Sequence, residues 1–189
     1  MDGIQTLKPL MLIIIFICFI FYLIIRKKKP INIIKYSAIS LFIIYVLFVI
    51  DAVFLPAPTS RFGIEIQRQA VGTLIRYNVI PFTTIWGVMK SGDFMGIATQ
   101  IGGNIALFVP MPILLILMGK TPKSSLIWSI SIVCVIELLQ LALSLMYGFA
   151  YRSFDIDDIL LNGTGVMVGY CFYRIAAKIK QTMNVQNNT

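Results

Sequence analysis

Residues 125–146 read SLIWSISIVCVIELLQLALSLM, an apolar run broken by a single charge, Glu137. A hydrocarbon core of roughly 30 Å needs about 20 helical residues at about 1.5 Å each. This stretch is long enough to cross it. The run is continuous and does not alternate, which argues against a barrel strand. The rest of the 189-residue chain has the same character: 58% hydrophobic, 13% charged, mean hydropathy +0.88. A soluble domain is nearer 25% charged and about 45–50% apolar. Too few polar side chains remain to cover a water-facing globule. A soluble enzyme, a disordered chain and a disulfide-stapled secreted domain are excluded. The expected class is an all-α polytopic membrane helix bundle.

Four further runs match the first, so five spans are expected: about Leu10–Ile25, Ile31–Leu55, Ile97–Met118, Ser125–Met146 and Ile159–Ala177. In the first, the basic cluster Arg26–Lys29 follows the apolar run and no small-residue cleavage site comes after it. It reads as a retained helix and not a signal peptide. Placing Arg26–Lys29 in the cytoplasm also brings in Lys35, Lys120, Lys123, Arg174, Lys178 and Lys180. Lys8, Arg61, Arg68, Arg76, Lys90 and Arg152 fall outside. The topology is N-out, C-in. Every acid except Glu137 then lies at or near the outer face: Asp2, Asp51, Glu65, Asp93, Asp155, Asp157 and Asp158.

The net charge of +8 is explained by this topology. No basic stripe interleaves with aromatics on a soluble face, so nucleic acid is not an expected partner. The absence of histidine removes imidazole metal sites, Ser-His triads, HExxH zinc sites and histidine proton relays. Cys18, Cys134 and Cys171 each lie inside an apolar run and read as small buried hydrophobes. The expected organisation is two N-terminal helices (1–55), an extracytoplasmic loop (56–96), a three-helix core (97–177) and a cytoplasmic tail (178–189). The loop opens on the helix stop Pro56-Ala57-Pro58. Glu65 with Arg68, and Gly72 with Arg76, have the spacing of a polar helical face. Its apolar and aromatic content predicts an interfacial, partly re-entrant segment with Tyr77, Phe82 and Trp86 at headgroup depth.

Glu137 is the main anomaly, about 13.5 Å below the outer end of its span. An ionised carboxylate there costs at least about 2.5 kcal/mol. It must be protonated, paired or turned towards a polar cavity; a neutral interhelix hydrogen bond is the simpler alternative. Gln140, at i+3, shares its face. At the start of the fifth span, Asp155, Asp158 and Asn162 fall at i, i+3 and i+7, and Gly165 and Gly169 continue that stripe, where another helix could approach closely. Favourable interaction with the helix dipole suffices for Asp155 and Asp157 but does not explain Asp158 and Asn162, which lie deeper. Arg152 is a countercharge for Asp155 or Asp158, or a holder for an anionic headgroup. Pro110 and Pro112 must distort the third span and free backbone groups that need internal partners. Asn104, Glu137, Gln140, Arg152, Asp158 and Asn162 are expected to converge on one outer cavity.

These residues carry a resemblance. The stretches Asn78-Val79-Ile80-Pro81-Phe82, Asn104–Pro110, Ile136-Glu137-Leu138-Leu139-Gln140, Arg152–Asp158, and Asn162-Gly163-Thr164-Gly165 with Gly169 resemble, in order, the VanZ-like family of small bacterial membrane proteins. The match covers about Tyr77–Tyr173. It departs at Pro112, where the family's F-x-P-x-G pattern has glycine. The family is named for a protein that accompanies glycopeptide-resistance genes and is associated with low-level teicoplanin resistance. The resemblance implies functional positions at Asn78, Asn104, Glu137, Gln140, Arg152, Asp155, Asp158 and Asn162, with Pro81 and Phe82 in the loop motif.

Four functions follow from these features. The chain lowers susceptibility to lipid-tailed glycopeptides at the plasma membrane. Or it is an enzyme on an envelope lipid or lipid-linked cell-wall precursor, with Glu137 as acid or base, Asp155 and Asp158 holding Mg²⁺, and Arg152 orienting a phosphate. Or it is a proton-coupled carrier using Glu137, for which five spans without visible repeats are few. Or its polar residues only hold helices together. No motif specifies a cofactor, a resident metal or an oligomeric state. Membrane lipids or a lipid-linked precursor are the expected partners.

Overall fold

The computed structural model describes residues 32–55, 58, 60–74 and 77–186. The expected first span, its Arg26–Lys29 turn, Cys18, Pro56, Ala57 and Arg76 lie outside the described residues. The chain is mostly helical, in the order α1 (Ile33–Phe54), α2 (Arg61–Val71), β1 (Tyr77–Asn78), α3 (Thr83–Lys90), α4 (Phe94–Leu117), α5 (Pro122–Tyr147), β2 (Phe154–Asp155) and α6 (Ile156–Gln186). Among the described residues α1, α4 and α5 are long and apolar enough to cross a membrane. α6 is longer than any of them, but Asn162, its glycines and Arg174 dilute its apolar content.

Local chemistry sets the helix ends. Asn32 opens α1 by accepting from the Lys35 amide, and Thr121 opens α5 by accepting from the Ser124 amide, with Pro122 at the first helical position. Gly148, in the left-handed region at φ 69°, closes α5. α4 is composite. Residues Ile97–Gly102 form a widened π turn, and Pro110, which has no amide hydrogen, interrupts the helix at Val109. Two side chains tie neighbouring helices to this stretch: Tyr45 Oη donates to the Leu107 carbonyl (2.9 Å) and Ser125 Oγ to the Pro112 carbonyl (2.7 Å).

The core lies where α1, α4, α5 and α6 meet, around Tyr45, Val49, Phe108, Met111, Leu115, Val133, Ile136 and Val166. α6 packs on the middle of α4 through Gly165 and Gly169. A Cβ at Gly165 would collide with the Ile105 carbonyl, and one at Gly169 with the Val109 carbonyl and Pro112. The glycine stripe is therefore a backbone-to-backbone contact, and its partner is the proline-interrupted helix. The outer surfaces are apolar: Phe48, Ile127, Trp128, Val135, Leu138 and Phe172 are all exposed. Such a surface suits hydrocarbon and not water. Cys134 is half-buried, but Cys171 is exposed on this periphery; both are free thiols.

The segment between α1 and α4 contains two short helices and one short strand. α2 exposes Phe62 and Ile66 on one side and carries an Arg68–Glu65 ion pair (3.7 Å) on another. Arg68 also donates to the Tyr147 carbonyl at the C-terminus of α5 (2.9 Å), where a cation is favoured. β1 pairs in parallel with β2, Tyr77 opposite Phe154 and Asn78 opposite Asp155, a contact the apolar runs did not foretell.

The glycine contact yields a sharp expectation. Gly165→Val and Gly169→Val should each lower the melting temperature of the purified protein and its membrane abundance, because overpacking costs at least about 1–3 kcal/mol and a backbone carbonyl cannot swing aside. Gly163→Ala, whose new Cβ meets only Ile130 Cδ1 at 3.8 Å, should leave both unchanged. Equal melting of all three variants would contradict the assigned packing.

Candidate functional site

Asp155, Asp157 and Asp158 take three different partners. The helix starts at Ile156, so Asp155 does not share the helical face of Asp158 and Asn162 as the i, i+3, i+7 spacing predicted; it lies on β2. There it is buried and accepts from Asn78 Nδ2 (2.9 Å), Thr84 Oγ1 (2.6 Å) and the Asp157 amide (2.9 Å). Asp157 is fully buried and accepts from the amides of Phe82 (2.5 Å), Thr84 (2.8 Å) and Ile85 (3.1 Å). These are amides at the N-terminus of α3, so Asp157 caps a helix other than its own. Asp158 turns to α4, where Asn104 Nδ2 donates to it at 2.6 Å.

The Asn78–Phe82 motif thus forms a strap held by two aspartates. Asn78 binds Asp155 and Thr84 and accepts from the Ile80 amide (3.1 Å). Pro81 precedes the strained position. Phe82 is the only non-glycine residue with positive φ (68°) among the described residues. That conformation costs on the order of 1–3 kcal/mol for a bulky side chain. Asp157 holds it by taking its amide hydrogen. The Phe82 side chain is exposed, as are Tyr77, Ile80 and Trp86, and Lys90 Nζ lies 5.4 Å from the Trp86 ring centroid.

A cavity of about 890 Å³ adjoins this strap through Thr84 and Asp155, the two partners of Asn78 that line it. The structure places Asn104, Glu137, Gln140, Arg152, Asp155, Asp158 and Asn162 on its wall. Phe48, Val53 and Leu107 supply apolar surface, and Thr99 and Gln100 of the π turn complete one side. Asn78, Pro81 and Phe82 are not on the wall; they act through the strap. Glu137 is 2% exposed and Asn162 4%. Glu137 Oε2, Gln140 Oε1 and Asn162 Oδ1 are buried acceptor atoms with no hydrogen-bond partner in the protein.

Arg152 does not pair with Asp155 or Asp158. Its Nη2 donates to the Leu55 carbonyl (3.1 Å), and its guanidinium lies over Tyr151. Tyr151 Oη donates to the Phe54 carbonyl, and Gln140 Nε2 reaches the Val53 carbonyl at 3.5 Å. Carbonyls at a helix end have no intrahelical partners and carry partial negative charge. The end of α1 competes with the aspartates for the cation and wins. Ser144 fixes the arrangement, its Oγ donating to the Arg152 carbonyl and accepting from the Arg152 amide (3.0 Å). Asp157, Ser144 and Thr84 were not picked out from the sequence. Capping across elements leaves no local spacing signal, although Asp157 stands inside a four-residue acidic stretch. The Asp155–Asp158 pair fits Mg²⁺ poorly, since both Asp155 oxygens are already engaged. Among the described residues no group of three or more acidic or thiol side chains is arranged to hold a metal.

The family model described as VanZ/LLP1 matches residues 42–177, a stretch that includes the whole cavity and its strap. No curated protein and no solved structure matches the chain.

The strap can be tested on Asp157. Asp157→Ala strips three amides of a charged acceptor, and hydrogen bonds to charged groups are worth about 1.5–3 kcal/mol. The expected result is a lower melting temperature and faster proteolysis between Tyr77 and Lys90, with Asp157→Asn intermediate. Melting and cleavage identical to wild type would remove Asp157 from this role.

Proposed function

The chain belongs to the VanZ/LLP1 family, and from that membership we propose that it is a multi-pass protein of the bacterial plasma membrane that lowers susceptibility to lipid-tailed glycopeptides such as teicoplanin. The observation that carries this reading is the polar cavity itself: buried Glu137 and Asn162 line a space of about 890 Å³ among helices with apolar outer surfaces. Intramembrane ionisable groups are costly and mark functional sites by default.

The topology belongs to the same proposal. Five spans, N-out and C-in, put the cavity at the outer leaflet, where a lipid-tailed drug anchors. They divide the chain into 1–55, 56–96, 97–177 and 178–189. Two features support it. Lys120 and Lys123 lie at the end of α5 away from the Ser144–Arg152 pair. The strap carries an exposed aromatic and apolar surface fit for a membrane interface. In a cysteine-less background, a cysteine at Ser153 should react with an impermeant maleimide on intact cells, and one at Ser124 only after permeabilisation. The reverse pattern would overturn the orientation.

One observation favours a second reading, an enzyme acting on an envelope lipid or a lipid-linked cell-wall precursor. Glu137 lines the cavity and its buried Oε2 has no hydrogen-bond partner in the protein, as a carboxyl kept for proton transfer would be. The two readings separate experimentally. A sensitive host carrying the wild type should show several-fold reduced susceptibility to teicoplanin but not vancomycin, and Glu137→Gln/Asp158→Asn at matched membrane abundance should lose that protection. Equal protection against both drugs would overturn the lipid-tail dependence. No protection, with altered lipid extracts in a deletion strain, would favour the enzyme.

A further inference from the structure

The cavity has a buried side and an exposed side. On its wall Ile136, Glu137, Asp155 and Asn162 are buried, and the strap adjoins it through Thr84. Wall residues that are exposed come chiefly from two helices. Phe48 and Ala52 lie one turn apart on α1, and Gly103 and Ala106 one turn apart on α4. α1 packs on Pro110–Leu117 of α4, below this level. Its last turn is tied elsewhere: Gln140 reaches the Val53 carbonyl, Tyr151 the Phe54 carbonyl and Arg152 the Leu55 carbonyl. The slot between the two helices is open among the described residues, since a Cβ at Gly103 would meet nothing within 4 Å. By the helical rise Phe48 is about 9 Å from the end of α1, and Ala106 about 18 Å from the start of α4. In a bilayer these depths are occupied by acyl chains, so the slot opens sideways.

We propose that the slot between α1 and α4 is a lateral portal that holds the acyl chain of a membrane amphiphile, whose polar head lies in the cavity. Ionisable groups are costly beside hydrocarbon, and here an open side leads from hydrocarbon to a polar wall. An amphiphile suits both: its head reaches Asn104, Arg152 and Ser153, and its chain leaves between Phe48 and Ala106. The wall carries donors and acceptors alike. Arg152 keeps N–H groups beyond the one given to Leu55, and Asp158 is an acceptor. Charge therefore does not select the head; the small residues Ala52, Gly103 and Ala106 select the chain by leaving it room. The apolar segment Leu10–Ile25, the other candidate to cover the slot, brings no charged or amide side chain to that wall. A native phospholipid and a lipid-tailed drug share the chain chemistry. This assignment rests on the membrane placement proposed above and not on any effect on glycopeptide susceptibility.

The test cross-links the purified full chain, in detergent, to phosphatidylethanolamine carrying a photoreactive diazirine in its acyl chain, with adducts mapped by mass spectrometry. Adducts should concentrate at Val53 and Leu107, which line the cavity, over Leu138 and Phe172 on the outer surface, and excess unlabelled lipid should remove them. Gly103→Leu/Ala106→Phe fills the slot and should lower the cavity adducts about tenfold at an unchanged melting temperature. Leu138→Phe should leave them as in the wild type. Gly103→Leu alone, where nothing stands in the way of a Cβ, serves if the double variant does not fold. Displacement of the probe by teicoplanin but not vancomycin identifies a slot that takes the drug's tail; displacement by phospholipid alone identifies a native lipid site. The chain assignment stands in both cases. Equal labelling of cavity and outer surface, or cavity labelling untouched by filling the slot, would overturn it. So would ready oxidation of Ala106→Cys to Cys18 in a Cys134→Ser/Cys171→Ser background, since the first span would then fill the slot. Slot labelling without drug protection would leave this inference standing and remove the glycopeptide reading; protection without slot labelling would do the opposite.

Discussion

A buried carboxylate among apolar helices must find donors, and the start of α6 meets that constraint three times in four residues. Asp155 takes the side chains of Asn78 and Thr84, Asp157 takes the amides that begin α3, and Asp158 takes Asn104 on α4. The alternative is loss of charge or several kcal/mol of desolvation per group, on the order of the whole stability of a small domain. The tie between the strap and the bundle is therefore polar. Its apolar residues face outward, with Tyr77, Phe82 and Trp86 all exposed. Without Asp155 and Asp157 nothing of comparable strength would seat the strap over the cavity.

The second constraint is steric. α6 and α4 touch backbone to backbone at Gly165 and Gly169, which draws the first half of α6 against the middle of α4. From the contact to two turns above it the side chains become polar, at Asn104, Asn162 and Asp158. The π turn at Ile97–Gly102 widens α4 at the same level. Close packing below and bulky polar residues with a widened turn above leave a space at the top of the bundle. The cavity follows from a change in residue size along one pair of helices.

Much of this was legible in the sequence because a membrane makes polar residues conspicuous. Glu137, Gln140, Asn104 and Asn162 stand out in apolar runs, and all four are found on the cavity wall. Gly165 and Gly169 stand out by spacing, and they form the contact that spacing implies. Asp157 was legible only as a residue; its role was not. A carboxylate in a first helical turn looks like a partner for its own helix dipole, and no local pattern reveals that it caps α3, more than seventy positions earlier in the chain. The ion pair expected of Arg152 with Asp155 or Asp158 does not form, for a related reason. Charge pairing is easy to read from sequence, whereas the bare carbonyls at the end of α1 exist only once the helix stops. The positive φ of Phe82 likewise depends on an acceptor that the fold delivers.

The division of the acidic residues bears on mechanism. Asp155, which looked like chemistry, and Asp157, which looked like a partner for its own helix dipole, are occupied in holding the strap. The groups with capacity left over are the deeper ones, Glu137 and its neighbours Gln140 and Asn162. A site built to grip phosphate would show the opposite arrangement, with its arginine free and its acceptors satisfied. Here Arg152 donates one N–H to the Leu55 carbonyl at the end of α1, and Glu137 Oε2, Gln140 Oε1 and Asn162 Oδ1 are buried without a hydrogen-bond partner in the protein.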